Sequence, residues 1–186
     1  MRHFFIFISL HLFLFLFVII YQAKADGEWT IDKYKTLAYA RVSGEVTHVD
    51  NLNFWIRTED DCEKVYNTFT VYTYEKPGDI KQLLNKNIPI KINGEKITAS
   101  VQDISPFLMG YRVHLSLGSY PIKEYIYFLK EFYDEFKKYE IEIVDGLDFE
   151  VKRYFDISIN SWKLDKLVPS VLEAHKQCKE INDLVS

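Results

Sequence analysis

Few residues in this 186-residue chain have types and spacing suited to chemistry. His48-x-Asp50 is the first candidate. On a strand, residues i and i+2 share a face, so the imidazole and carboxylate would meet one metal ion or share one proton. His114 would add a third group from another strand. A secreted hydrolase could be built around these three residues. A zinc site, however, needs three or four converging ligands. Two polar residues beside a loop and one distant histidine read more simply as solvated turn positions. No metal and no cofactor is expected.

Glu59-Asp60-Asp61 clusters oxygens of the kind calcium prefers, but it lacks the spacing and glycine of an EF-hand loop. It reads as a solvated acidic turn. No Gly-x-Ser-x-Gly elbow and no glycine-rich phosphate loop occurs. Cys62 and Cys178 lack Cys-x-x-Cys spacing, so they read as structural. In an oxidising compartment they are expected to form one disulfide; the alternative is two buried thiols.

Aromatic side chains are the other chemically distinctive group. Trp55, Tyr66, Tyr72 and Tyr74 are candidates for a ligand surface, stacking on a sugar or a peptide. Sheet packing is the simpler account of frequent tyrosine, with the ring inside and the hydroxyl wet.

Strands must position most of these residues. Thr36–Val42 and Leu52–Ile56 read as strands with a polar stretch between them. Val65–Tyr74 alternates, with Val65, Phe69, Val71 and Thr73 on one side and Tyr66, Thr68, Thr70, Tyr72 and Tyr74 on the other. Asp79–Leu84 suits one helical turn. Ile88, Ile90 and Ile92 face Ile97, Ala99 and Val101 across Asn93-Gly94, which tolerates the positive φ of a type I′ hairpin turn. Pro89 places its strand at an edge or near a strand end. Gly110 and Gly118 bracket another strand, with His114 on its outer side.

A helix follows, with Ser119 as cap and Pro121 in its first turn. Ile122, Ile126, Leu129, Phe132, Tyr133 and Phe136 form its apolar stripe. Ile141 and Ile143 alternate into Asp145-Gly146, and Leu147–Ile159 reads as the return strand. Asn160-Ser161 would cap a last helix carrying Trp162, Leu164, Leu167 and Cys178, with Pro169 as a kink. The expected fold is α+β: an antiparallel sheet, either a sandwich or a partly closed barrel, packed by one mid-chain helix and a C-terminal helix.

Residues 1–25 read as a secretory signal peptide. Arg2 supplies the charged start, Phe4–Ile20 is apolar apart from Ser9 and His11, and Ala23-Lys24-Ala25 is a small-x-small cleavage site. The rival reading is an uncleaved anchor over residues 4–20, which would tether the protein to a membrane. After cleavage, residues 26–186 suit one domain with a real core. Cleavage removes Arg2 and Lys24 and no acid, so 21 basic residues face 27 acidic ones, a charge of −6. That balance argues against a nucleic-acid partner. No second apolar run is long enough to span, so no membrane contact is expected once the signal is gone.

The tail Tyr154-Phe155-Asp156-Ile157-Ser158-Ile159-Asn160-Ser161, leading into a helix that ends near Cys178, resembles the ends of small exported bacterial domains of the invasion-associated locus B type. The likeness covers roughly the last 30 residues. The cysteine pairs of that family are not reproduced, and Asn160 stands where that family has a turn glycine. The resemblance implies a periplasmic, non-enzymatic protein and transfers no functional residue. The sequence therefore leads to a periplasmic or secreted binding protein whose partner is an unknown protein, envelope component or small ligand.

Overall fold

The structure is a computed structural model that describes residues 28–75 and 77–185. The expected signal segment, residues 1–25, and its expected cleavage site lie outside the described residues.

Nine antiparallel strands form one sheet. They are β1 (Thr30–Tyr34), β2 (Leu37–Ser43), β3 (Asn51–Arg57), β4 (Lys64–Thr73), β5 (Asn87–Ile92), β6 (Glu95–Phe107), β7 (Gly110–Pro121), β8 (Lys138–Ile143) and β9 (Ile159–Lys163). Their spatial order is β1-β2-β3-β4-β7-β6-β5-β8-β9. Two longer helices pack on it, α1 (Ile122–Phe136) in mid-chain and α2 (Leu167–Val185) at the C-terminus. The sheet curls into a half-barrel, which is the α+β arrangement expected from the sequence.

The curl has identifiable causes. Along the β4–β7 ladder Asn67 faces Gly118 and Thr68 faces Ser116, so Leu117 is an extra residue on β7. Along β6–β7, Val101 faces Leu115 and Asp103 faces His114, so Gln102 is extra on β6. Such bulges bend the bulged strand and increase its twist. The curl brings β9 back to the end of β2, where Glu45 N donates to Ser161 O at 2.8 Å.

Period-two alternation explains the core. Ala38, Ala40 and Val42 of β2, Leu52, Phe54 and Ile56 of β3, and Val113 and Leu115 of β7 are fully buried on the inner face. α2 lies against β1, β2 and β3. Cys178 of α2 is bonded to Cys62, which follows the helical turn Thr58–Asp60, so the expected disulfide is present.

Asn93 (φ 47°) and Gly94 (φ 89°) make the expected hairpin turn between β5 and β6. Pro89 is not on an edge strand, because β5 lies between β6 and β8. The β5–β8 ladder covers only Ile90–Ile92, so the missing Pro89 amide falls just beyond it.

Several expectations are corrected. β1 is an additional strand; its residues are mostly exposed, so it carries no alternation to read. Ser119 and Pro121 belong to β7, and α1 starts at Ile122. Tyr125, absent from the expected stripe, is buried, whereas Phe136 is half-exposed. Of the expected strand Leu147–Ile159 only Ile159 is in a strand, as the first residue of β9; the rest holds Phe149, bridged to Gly146, and one helical turn, Val151–Tyr154. Asn160, Ser161 and Trp162 are in β9 rather than capping or joining α2. Pro169 is the third residue of α2, in the first turn, where its missing amide hydrogen costs nothing.

Candidate functional site

The residues singled out for catalysis do not converge. Asp50 follows the inward parity of β3, lies beside Phe69 and Val71, and is 2 % exposed. Its Oδ1 accepts from Tyr72 N at 2.7 Å and its Oδ2 from Asn160 Nδ2 at 2.9 Å. Burial raises its pKa to about 6, against the lowering effect of these two hydrogen bonds. His114 points the other way, to the outer face between the inward Val113 and Leu115, and its Nδ1 is hydrogen-bonded to Thr70 Oγ1 at 3.2 Å. Burial lowers its pKa. His48 sits in the loop after β2, where its Nδ1–H donates to Gly44 O at 2.9 Å. Asp50 is thus a buried structural carboxylate, and the two histidines belong to other surfaces. Among the described residues no group of three or more His, Cys, Asp or Glu is arranged to hold a metal ion.

The four candidate aromatics divide into two pairs. Trp55 and Tyr66 face each other across β3 and β4. Tyr72 and Tyr74 form an edge-on pair at 4.7 Å, with Tyr72 buried. Six residues of strand separate Tyr66 from Tyr72, about 20 Å. Trp55 and Tyr66 line an outer-face groove of about 570 Å³ together with Thr68, His114 and Ser116. Their polar edges and faces are already engaged there. Trp55 Nε1 donates to Thr68 Oγ1 at 2.9 Å, Tyr66 OH donates to Asp60 Oδ2 at 2.7 Å, Arg41 lies over Trp55, and Arg57 lies over Tyr66.

A larger concavity lies on the other face, between α1 and the β5–β6 hairpin, with a volume of about 710 Å³. Ile122 and Leu129 pin α1 to the sheet, and Ile122 N donates to Glu63 O at 2.9 Å. The opposite wall is held by Asn93. Its Nδ2 donates to Lys138 O at 2.9 Å, and its Oδ1 accepts from Glu140 N at 2.7 Å. Between these walls a ribbon of rings runs along α1. Tyr120 stacks on Tyr125 at 4.6 Å, Tyr125 on Phe128 at 5.6 Å, and Phe132 lies 4.8 Å from Phe136 and 5.0 Å from Tyr139.

Asn67 of β4 lies at the base, beside the β7 bulge, and is 1 % exposed. Its Nδ2 donates to Tyr125 OH at 2.6 Å and lies 3.5 Å from Tyr139 OH. Its Oδ1 is buried and accepts no hydrogen bond from the described residues. Burial pushes both phenol pKa values up, so the rings stay neutral at the base of the groove. Glu95, Glu124, Glu131 and Glu135 complete the lining, which contains no lysine, arginine or histidine.

Sequence reasoning missed this groove. One signal was present: Asn67 holds an inward position between Val65 and Phe69, where a polar side chain needs a partner. Comparison of the chain with protein-family models, with curated proteins and with solved structures finds no match in any of the three.

Proposed function

We propose that this is an exported, non-enzymatic binding protein that holds a small, largely apolar ligand in the groove between α1 and the β5–β6 hairpin. The carrying observation is the 710 Å³ aromatic concavity with an unpartnered buried amide oxygen at its base. Ligand sites are typically concave and apolar, of roughly 300–1,000 Å³, with a few placed polar groups. Tyr120 and Phe128, 37 % and 48 % exposed, supply aromatic contact area, whereas the outer-face rings are already covered by arginines. Export is supported by the signal-like residues 1–25 and by the Cys62–Cys178 disulfide, a bond that persists in oxidising compartments. No helix among the described residues is long and apolar enough to cross a membrane.

Titration with N-phenyl-1-naphthylamine, a neutral fluorophore, tests this reading. Saturable one-to-one binding is expected. It should disappear in Ile97→Trp, which fills the groove from a half-exposed wall position, and persist in Trp55→Ala on the outer face. No saturable binding, or binding abolished only by Trp55→Ala, would overturn it.

A further inference from the structure

The geometry points to an elongated organic cation as the ligand: an amine with an apolar body and a hydrogen-bond donor at its far end. This inference rests on the groove being the binding site proposed above.

Charge is the first argument. Glu95 borders the groove from the hairpin and Glu124, Glu131 and Glu135 border it from α1. Positions i, i+7 and i+11 fall on one helix stripe, so the three α1 acids form a row along the groove. Eleven residues of helix make that row about 16 Å long. None of the four is in an ion pair among the described residues, although Glu131 takes a hydrogen bond from Tyr127. A carboxylate or phosphate headgroup would meet this row with like charge. An ammonium group would be attracted along its whole length.

Aromatic faces are the second argument. Tyr120, Phe128 and Phe136 are 37 %, 48 % and 37 % exposed within the lining. Such faces carry negative quadrupole potential and favour a cation or an alkyl body equally well in shape. They favour an anion in neither respect.

Asn67 is the third. Its Nδ2 is committed to Tyr125, and its buried Oδ1 accepts from no group among the described residues. An unpartnered buried acceptor is costly, and a ligand hydroxyl or N–H that reaches it by displacing the side chains over it would remove that cost. The row of acids is exposed and Asn67 is deep, so one ligand meets both only when its charge and its donor are at opposite ends.

Displacement of the naphthylamine probe by three matched twelve-carbon ligands, below their aggregation concentrations, tests this. They are 12-amino-1-dodecanol, dodecylamine, which lacks the distal donor, and 12-hydroxydodecanoate, which reverses the head charge. At low ionic strength the amino alcohol is expected to bind about tenfold more tightly than the hydroxy acid, and this preference should shrink as salt screens the exposed acids. The triple variant Glu124→Gln, Glu131→Gln, Glu135→Gln alters only exposed positions. It should narrow that preference to about twofold, whereas Trp55→Ala on the outer face should leave both the preference and probe binding unchanged. Loss of the hydroxyl in dodecylamine should weaken binding by about fivefold. Equal or tighter binding of the hydroxy acid, with the probe still bound, would overturn the cationic assignment and leave the groove standing. Equal binding of the two amines would overturn the donor at Asn67. Failure of the probe and of all three ligands would remove the binding site itself.

Discussion

Asn160 of β9 donates through Nδ2 to Asp50 Oδ2 at 2.9 Å, across 110 residues of sequence. The same amide donates to Thr47 O at 3.1 Å and accepts from Val46 N and Ser161 N at 2.9 and 2.8 Å. One side chain therefore ties the loop after β2 to the last strand and keeps the curled sheet from opening there. Asp50 adds Tyr72 N to the same cluster. Among the described residues the Asp50 carboxylate is held by N–H groups and by no cation, and burial dominates its pKa.

This gives a defined pH dependence. Asp50 titrates near its ordinary value of 3.8 when unfolded and at about 6 when folded. Between those values the folded state holds a proton that the unfolded state has lost. The Asp50 contribution to stability is thus complete below pH 4 and is lost as pH rises to 6, by about 3 kcal/mol at most. His114 acts in the opposite sense: its lowered pKa favours the unfolded state as pH falls below 6.5. Urea unfolding from pH 4 to 7 separates the two. Asp50→Asn should remove the declining component while costing stability overall, since its new amide would face the Asn160 Nδ2 donor. An unchanged pH profile in Asp50→Asn would refute the assignment.

The Asn160 cluster also makes Gly44 sensitive. A Cβ at Gly44 would lie 2.3 Å from Asn160 Nδ2. Gly44→Ala should destabilise the protein by about 2–3 kcal/mol, chiefly by displacing this amide. Asn160→Ala should cost about 3–5 kcal/mol by orphaning Asp50 and the neighbouring backbone groups. In the Asn160→Ala background, Gly44→Ala should cost little, a coupling of about 1–3 kcal/mol in a double-mutant cycle. Additive effects would place the Gly44 constraint elsewhere.

Cys62 and Cys178 were legible because an even cysteine count in a chain that reads as exported suggests pairing. The sheet was legible wherever one face is buried, as in β4, β7 and the Asn93-Gly94 hairpin. β1 was not legible, because little of it is buried on either face. The stretch 147–159 misled because its apolar residues, Phe149, Val151, Tyr154 and Phe155, are buried without alternating. Asn160 read as a helix cap because its side chain suits local bonding, whereas three of its four partners, Val46, Thr47 and Asp50, lie more than a hundred residues away. The groove was hidden for a related reason. Its lining comes from β4, β7, α1, β8 and the β5–β6 hairpin, elements far apart in the sequence.

Removing the disulfide should leave the sheet formed but weaken the attachment of α2. The bond closes a separation of 116 residues between the turn after β3 and α2. Chain entropy assigns such a loop about 4–5 kcal/mol, and measured losses are commonly nearer 2–4 kcal/mol. The double variant Cys62→Ala, Cys178→Ala should show that loss in urea unfolding. Hydrogen exchange should accelerate first in α2 around Ala174–Ile181, with β4 and β7 still protected. Uniform acceleration through the sheet would mean that α2 does not open separately.

The base of the groove gives the last prediction. Asn67, Tyr125 and Tyr139 form one buried polar group, with Asn67 Nδ2 donating at 2.6 Å to Tyr125. Tyr125→Phe removes that acceptor and should cost about 1–2 kcal/mol in stability. Asn67→Leu removes the unpartnered Oδ1 along with the donor, so its cost to the free protein should be smaller than burial alone suggests. Its effect on ligands should be selective. Affinity for 12-amino-1-dodecanol should fall to that for dodecylamine, while the naphthylamine probe binds as before. Equal loss for all three would mean that Asn67 shapes the groove without touching what fills it.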